Sequence, residues 1–179
     1  TTEISPLSIH AAPPIYTTRP IRDGEQDGVE YYFTDQAHLD RLEGQGKVIE
    51  CRTYDTVFGP WSYFTADDGQ IDLDHGNYLM IGTLDSYEKM VKYYGKEILV
   101  PIYIYVDDGV RLQRALDREK SQKSPKYTEM CRRYLADEND FSPERLTQCG
   151  IAGGYENGDL NTCICSVLKD IEDKMKPKL

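Results

Sequence analysis

Two arginines three residues apart, Arg19 and Arg22, flank Pro20 in the stretch Thr17-Thr18-Arg19-Pro20-Ile21-Arg22-Asp23-Gly24-Glu25. Planar guanidinium forks engage phosphate oxygens in pairs, so this spacing suits anion binding. Pro20 fixes its own φ and pushes the residue before it towards extended backbone. Both side chains are then held forward instead of being wound into a helix. Gly24 and Gly28 allow a sharp return, and Tyr31, Tyr32 and Phe33 read as a short strand beyond it. The segment is expected to be an anion-binding loop followed by a hairpin. An equally weighted reading is a solvated loop whose arginines pair with Asp23, Glu25 and Asp27.

A second group of charges lies further on. Between Arg111 and Arg133 the chain carries Arg111, Arg114, Arg118, Lys120, Lys123, Lys126, Arg132 and Arg133. Such a run either closes on phosphates or forms a charged helix face with Asp117, Glu119 and Glu129. Glu50 stands on an alternating, strand-like stretch. Metal chemistry finds little support. Asp67-Asp68-Gly69 lacks the remaining ligands of a calcium loop and reads as a turn. The five cysteines, Cys51, Cys131, Cys149, Cys163 and Cys165, lack paired C-x-x-C spacing. Reduced thiols of a cytoplasmic protein are the expectation, and no metal ligand is assigned.

The elements that must position these residues alternate. A short strand is expected at Ile15 to Thr18. A helix over Asp35 to Glu43, capped by Thr34, would bury Leu39 and Leu42 and end at Gly44 and Gly46. Val48 to Tyr54 alternates as a strand. Tyr54 to Thr65 reads as a hairpin turning at 55–60, with Trp61 and Phe64 in the core. Tyr78 to Gly82 is a continuous apolar run, as in a buried parallel strand. Thr83 caps a helix whose face is Leu84, Tyr87, Met90, Val91 and Tyr94, and Gly95 stops it. Ile98 to Val106 is a second apolar strand, with Pro101 marking an edge or bulge. Asp107-Asp108-Gly109 opens a helix burying Leu112, Ala115 and Leu116. Ser121 to Pro125 breaks it, and Tyr127, Met130, Cys131, Tyr134 and Leu135 mark the buried face of the next. Asp140 to Pro143 is a turn and helix start. The regular stripe Leu160, Cys163, Ile164, Val167, Leu168 and Ile171 should pack on the sheet, and Lys174 to Leu179 should fray. This alternation argues for an α/β fold, a parallel sheet flanked by helices.

With 179 residues, one domain over 1–179 is expected. A net charge of −10 argues against a nucleic-acid-binding surface and leaves room for a local basic pocket. No apolar run is long enough to span a bilayer, and no signal peptide is visible, so no membrane partner is expected. The chain opens on Thr1 and not on Met, which reads as a fragment or a processed chain.

The pattern T-T-R-P-x-R-x-G-E-x-D-G-x-E-Y-x-F, Thr17 to Phe33, closely resembles the GMP-binding segment of guanylate kinases. The resemblance implies that Arg19, Arg22 and Tyr31 hold the phosphate of GMP, and that Glu50 reads guanine. It implies a P-loop-kinase-like fold with a small, mainly antiparallel GMP-binding lobe at 31–65 and a helical lid at 111–135. Arg114, Arg118 and Arg133, with Arg132 a near alternative, match the lid arginines that stabilise the transferring charge. Tyr155-Glu156-Asn157-Gly158-Asp159-Leu160 resembles the N-x-D-L segment, placing Asn157 by the nucleotide. The implied reaction is ATP + GMP giving ADP + GDP, with Mg²⁺. The chain also departs from the family. Sixteen residues precede Thr17, and they hold neither a glycine nor a lysine, so the phosphate loop is not seen. Ile15 stands where a small hydroxyl residue is common. Phe58-Gly59-Pro60 replaces a Tyr-Gly-Thr/Ser, leaving Tyr63 and Thr65 as nearby substitutes. Gly82 and Thr83 stand where strand-end aspartates are expected, and the nearest acid is Asp85. Two alternatives stay open. One is an inactive guanylate-kinase-like module binding a nucleotide or a phosphorylated peptide. The other is a kinase for another nucleoside monophosphate.

Overall fold

In the computed structural model, residues 9–11, 13–56 and 58–175 are described. They fall into two units, Thr1–Leu99 and Val100–Leu179.

The first unit is built on a four-stranded sheet. Its strands are β2 (Tyr16–Thr17), β3 (Tyr32–Phe33), β4 (Val48–Thr56) and β5 (Gly59–Ala66), in the order β3-β2-β5-β4. β4 and β5 form the expected hairpin, whose ends meet at Thr56 and Gly59. Val57, in its turn, lies outside the described residues. β2 is antiparallel to β5 but parallel to β3. The arginine segment is therefore not followed by a hairpin, which corrects the sequence expectation. A parallel return needs a connection of roughly a dozen residues or more, and the loop from Thr18 to Tyr31 supplies one. Gly24 and Gly28 turn it at φ 86° and 77°, where other residues are strained.

Helix α1 (Gln36–Gly44) begins one residue later than expected. Asp35, not Thr34, is its cap: Asp35 is extended, and its carboxylate accepts from the His38 N–H at 2.8 Å. Leu39 and Leu42 face the sheet as the spacing predicts. With Phe64 and Ala66 they form the core, flanked by Tyr16, Val48 and Cys51. Helix α2 (Leu84–Tyr94) is capped by Thr83 and ended by Gly95, and it buries Leu84, Ser86 and Met90.

A separate two-stranded parallel ribbon joins β1 (Ile9–Ala11) to β6 (Asn77–Leu79). The buried strand expected at Tyr78 to Gly82 is thus shorter, and Leu79 and Ile81 are exposed. Burial on both faces needs cover on both faces; among the described residues β6 pairs with β1 alone.

The second unit holds β7 (Ile104–Tyr105), α3 (Asp108–Lys120), α4 (Tyr127–Asp140), α5 (Pro143–Gln148), β8 (Tyr155–Glu156) and α6 (Leu160–Met175). β7 and β8 pair in parallel. The long strand expected from Ile98 to Val106 is reduced to two residues, and Ile98, Val100 and Ile104 are exposed. Pro101 removes one ladder donor within that run. β8 lies very close to β7: a Cβ on Gly154 would fall 2.6 Å from the Tyr103 carbonyl oxygen. Helices α3 and α4 meet through Arg111. Its guanidinium lies 4.1 Å from the Tyr134 ring centroid and pairs with Glu138. The buried stripe expected on α4 narrows to Met130, because Tyr127, Cys131 and Leu135 are exposed. On α6 only Cys163 is buried, while Leu160 and Ile164 are exposed. Its tie to β8 is polar: the Tyr155 hydroxyl donates to Asp170 at 2.5 Å. Most of the end expected to fray, 176–179, lies outside the described residues.

The architecture is α/β. Two of its parallel pairs stand in short separate ribbons, and the third, β2–β3, belongs to the otherwise antiparallel sheet of the first unit.

Candidate functional site

Arg19 stands two residues past the end of β2, and its backbone is fixed by Thr17. The Thr17 hydroxyl donates to the Ser62 carbonyl at 3.0 Å and accepts from the Arg19 N–H at 3.1 Å. The Arg19 residue is only 3% exposed. Its guanidinium meets Glu25 at two points, Nη1 to Oε2 at 2.9 Å and Nη2 to Oε1 at 2.8 Å. It also lies 5.3 and 5.4 Å from the ring centroids of Tyr31 and Phe33. Glu25 is set by the loop, since its Oε2 also accepts from the Arg22 N–H at 2.8 Å. The Arg19 guanidinium holds the Glu25 carboxyl below the usual carboxylate range. The loop reading that paired arginines with Glu25 therefore holds for Arg19, although the pair is buried on the arginine side and not solvated. Arg22 is exposed, and its side chain makes no hydrogen bond or ion pair among the described residues.

The β4–β5 register gathers the rest. Side chains alternate along a strand, so one face of the hairpin carries Cys51 and Phe64 towards the core. The other carries Glu50 opposite Thr65, Arg52 opposite Tyr63, and Tyr54 opposite Trp61. Tyr63 packs edge-on against both Tyr31 and Tyr54, at 5.6 and 5.8 Å. Ile15, Tyr31, Arg52, Tyr54, Trp61 and Tyr63 line an open cleft of about 330 Å³. That is at the small end of ligand-site volumes, roughly 300–1,000 Å³.

Glu50 is buried beside this cleft, 3% exposed. Its Oε1 accepts from the Thr65 hydroxyl at 3.1 Å and its Oε2 from the Ser86 hydroxyl at 3.3 Å. Ser86 is delivered by the first turn of α2, which Thr83 starts. Arg52 Nε lies 3.2 Å from Glu50 Oε2. The distance makes an ion pair, but the direction does not make a hydrogen bond, so the buried Nε–H has no acceptor among the described residues.

In the second unit, the expected lid arginines are differently engaged. Arg114 donates to the carbonyls of Asn157 and Gly158, at 2.9 and 3.1 Å. It thereby ties α3 to the turn before α6 and stands beside Asn157. Arg133 lies 3.8 Å from Glu119 and 3.7 Å from Glu129, while Arg132 makes a two-point pair with Glu129. Glu119 is buried and accepts from the Lys126 N–H at 2.5 Å, which fixes the α3–α4 turn. Arg118 is exposed, and its guanidinium makes no hydrogen bond or ion pair among the described residues.

No family model matches the chain. Segments of it are similar to bacterial guanylate kinases. The enzyme of Thermobifida fusca is 59% identical over 34 residues, 19% of this chain and 17% of that protein. The enzyme of Vibrio cholerae is 48% identical over 44 residues, 25% and 20% of the two chains. The enzyme of Nitrosococcus oceani is 41% identical over 58 residues, 32% and 27% of the two chains. The matched segments span less than a third of these relatives' own length. The crystal structure of guanylate kinase from Anaplasma phagocytophilum superposes on 95% of this chain and 78% of its own, with a TM-score of 0.58 at 21% identity. The fold is that of a guanylate-kinase-like domain.

Within this fold, Arg19, Tyr31 and Tyr63 come together in the first unit, Glu50 joins them only through Arg52, and Arg114 and Asn157 come together in the second. Three residues escape the sequence reading. Trp61, expected in the core, lines the cleft. Arg52 and Ser86 touch Glu50. The alternation of β4 does place Arg52 on the face of Glu50, two residues on. Nothing local points to Ser86, which reaches Glu50 only through the packing of α2. Among the described residues, no group of three or more His, Cys, Asp or Glu is gathered that could hold a metal, and no step below is routed through one.

Proposed function

We propose that this chain is the acceptor-binding and lid portion of a guanylate kinase, in which a phosphoryl group passes from ATP to GMP and leaves ADP and GDP. The observation that carries this reading is the hairpin face on which a buried carboxylate, Glu50, adjoins an aromatic cleft. The arginine loop closes on Tyr31 of the same cleft. A carboxylate offers about four acceptor positions. Thr65 and Ser86 take one on each oxygen of Glu50. One on each then remains for the N1–H and 2-amino group of guanine, a pair of donors that adenine lacks. Tyr31 and Tyr63 flank the ligand, while Arg22 and Arg19 meet its phosphate. Phosphoryl transfer depends on positioning and on positive charge over the transferring group. By likeness to the lid arginines of guanylate kinases, Arg118, whose guanidinium has no hydrogen bond or ion pair among the described residues, suits that role, and Arg114 holds Asn157 in place. ATP and Mg²⁺ enter this reading through the likeness to guanylate kinases. A cytoplasmic setting, where thiols stay reduced, suits five cysteines that form no disulfide among the described residues.

A second reading is a guanylate-kinase-like module that binds without catalysis. The engagement of Arg114 and Arg133 within their own unit favours it. The two readings separate when a calorimetric titration of the chain with GMP, AMP and ATP, each alone with Mg²⁺, is run beside an assay for GDP formed from GMP and ATP, which the kinase reading expects and the second does not. GMP binding with little AMP binding is expected. Absence of nucleotide binding, with binding of a phosphorylated peptide, would replace the kinase reading by the second.

A further inference from the structure

Arg52 stands where two observations meet. It lines the open cleft, and it contacts the buried carboxylate of Glu50. It is therefore the side chain that links that carboxylate to the space where a base would lie. Its Nε–H is buried and unsatisfied, since the approach to Glu50 Oε2 is close in distance but off in direction. Buried donors of this kind are uncommon and call for an acceptor. Its position is held by the cross-strand pairing with Tyr63 and by the strand it shares with Glu50.

We infer that Arg52 is a specificity-determining residue that donates to the O6 atom of a bound guanine. The inference rests on the reading of Glu50 given above. When Glu50 accepts from N1–H and the 2-amino group, O6 lies next to N1, on the Arg52 side of Oε2. Arg52 Nε stays within ion-pair distance of Oε2, while its Nε–H, which is directed off that oxygen, is the donor available to O6. Arginine is a preferred partner of guanine O6 for this reason. Adenine places an amino donor at the same corner, against the arginine donors, so Arg52 rejects adenine as well as selecting guanine. Glu50 and Arg52 together read the six-position and both neighbouring donors.

The test is calorimetric titration of the full chain with GMP, IMP, AMP and 6-thio-GMP. The sulfur analogue keeps N1–H and the 2-amino group but offers a poor acceptor at position 6. Wild type should prefer GMP to 6-thio-GMP. Arg52→Ala should weaken GMP and IMP by roughly tenfold to hundredfold, the loss expected for a charge-assisted hydrogen bond, and should weaken 6-thio-GMP far less. If Arg52 only holds Glu50 in place, GMP and 6-thio-GMP weaken equally, and the inference is overturned while the reading of the cleft stands. Equal wild-type affinity for GMP and 6-thio-GMP overturns it without any variant, so a failure of Arg52→Ala to fold leaves the question answerable. Arg52→Gln, which keeps a neutral donor, should lie between the two proteins. A wild-type chain that binds GMP no better than AMP removes the reading of Glu50 itself, and the role of Arg52 with it.

Discussion

Arg19 and Glu25 face each other in a two-point ion pair, at 2.8 and 2.9 Å, with the arginine side chain 2% and the glutamate side chain 19% exposed. A carboxylate thus already occupies both terminal nitrogens of the buried guanidinium. A phosphate held by Arg19 must displace that carboxylate or approach from the side of Tyr31. The pair also links stability to pH. The folded-state pKa of Glu25 is lowered from an ordinary value of 4.5, first by its hydrogen bonds to Arg19. Its contribution is therefore present in full above the ordinary value and is lost as the pH falls through the lowered one. Urea denaturation of wild type and Glu25→Gln, run from neutral to acid pH, should show a gap that is full at neutrality and closes in acid. A gap that stays constant across the range would remove the pairing.

Arg22 behaves differently because its exposed side chain makes no hydrogen bond or ion pair among the described residues and acts on Glu25 only as a nearby charge. Arg22→Ala should leave the unfolding free energy within about 0.5 kcal/mol of wild type, as for most surface changes. It should weaken GMP by about 2 kcal/mol, the scale of a charge-assisted hydrogen bond. Arg19→Ala should lower both quantities, since it leaves Glu25 without its partner. Calorimetry beside urea melts separates the two arginines. Full GMP affinity in Arg22→Ala would take that residue out of the phosphate site.

Glu50→Gln keeps the shape of the buried side chain but replaces one acceptor by a donor. The preference for GMP over AMP should fall by at least tenfold, on the order of 1.4 kcal/mol, while the chain remains folded through Thr65 and Ser86. Binding ratios measured by calorimetry decide this, and an unaltered ratio would return Glu50 to a purely structural part.

Gly154→Ala places a methyl group 2.6 Å from the Tyr103 carbonyl oxygen. The backbone must shift or the β7–β8 pairing must open, at a cost of about 1–3 kcal/mol, typical of overpacking. Hydrogen exchange at the Tyr155 and Asn157 amides, which donate to Tyr103 and Tyr105, should speed up in the variant. Unchanged protection there would mean that the ribbon tolerates the added carbon.

The sequence makes the local part of this molecule legible and the non-local part less so. The spacing of Arg19 and Arg22, the two loop glycines, the cap at Thr83 and the core positions Leu39, Leu42 and Phe64 all follow from neighbouring residues. The direction of β3 does not, because a parallel and an antiparallel return use the same strand-forming residues. The apolar runs at Tyr78 to Gly82 and Ile98 to Val106 mislead for a related reason. Hydrophobicity says that a stretch favours burial, but hydrogen-bonded neighbours decide how much strand forms. At the site, alternation along β4 is enough to group Glu50 with Arg52. The hydroxyl of Ser86 reaches the same carboxylate from 36 residues away, and only the packing of α2 brings it there.

The parallel pairing of Tyr16 with Tyr32 and of Thr17 with Phe33 clamps both ends of the arginine loop side by side on one sheet. Its length is then nearly independent of the scaffold below it. Doubling a closed loop costs only about 0.6 kcal/mol in entropy. Residues inserted between Gly24 and Gly28 would lengthen the loop with β2, β3 and the hairpin still paired, while loosening the hold of Glu25 on Arg19. The loop is in this sense an exchangeable cartridge. Changes in the size of the anion it admits are open to engineering by insertion, with the base-reading face left untouched.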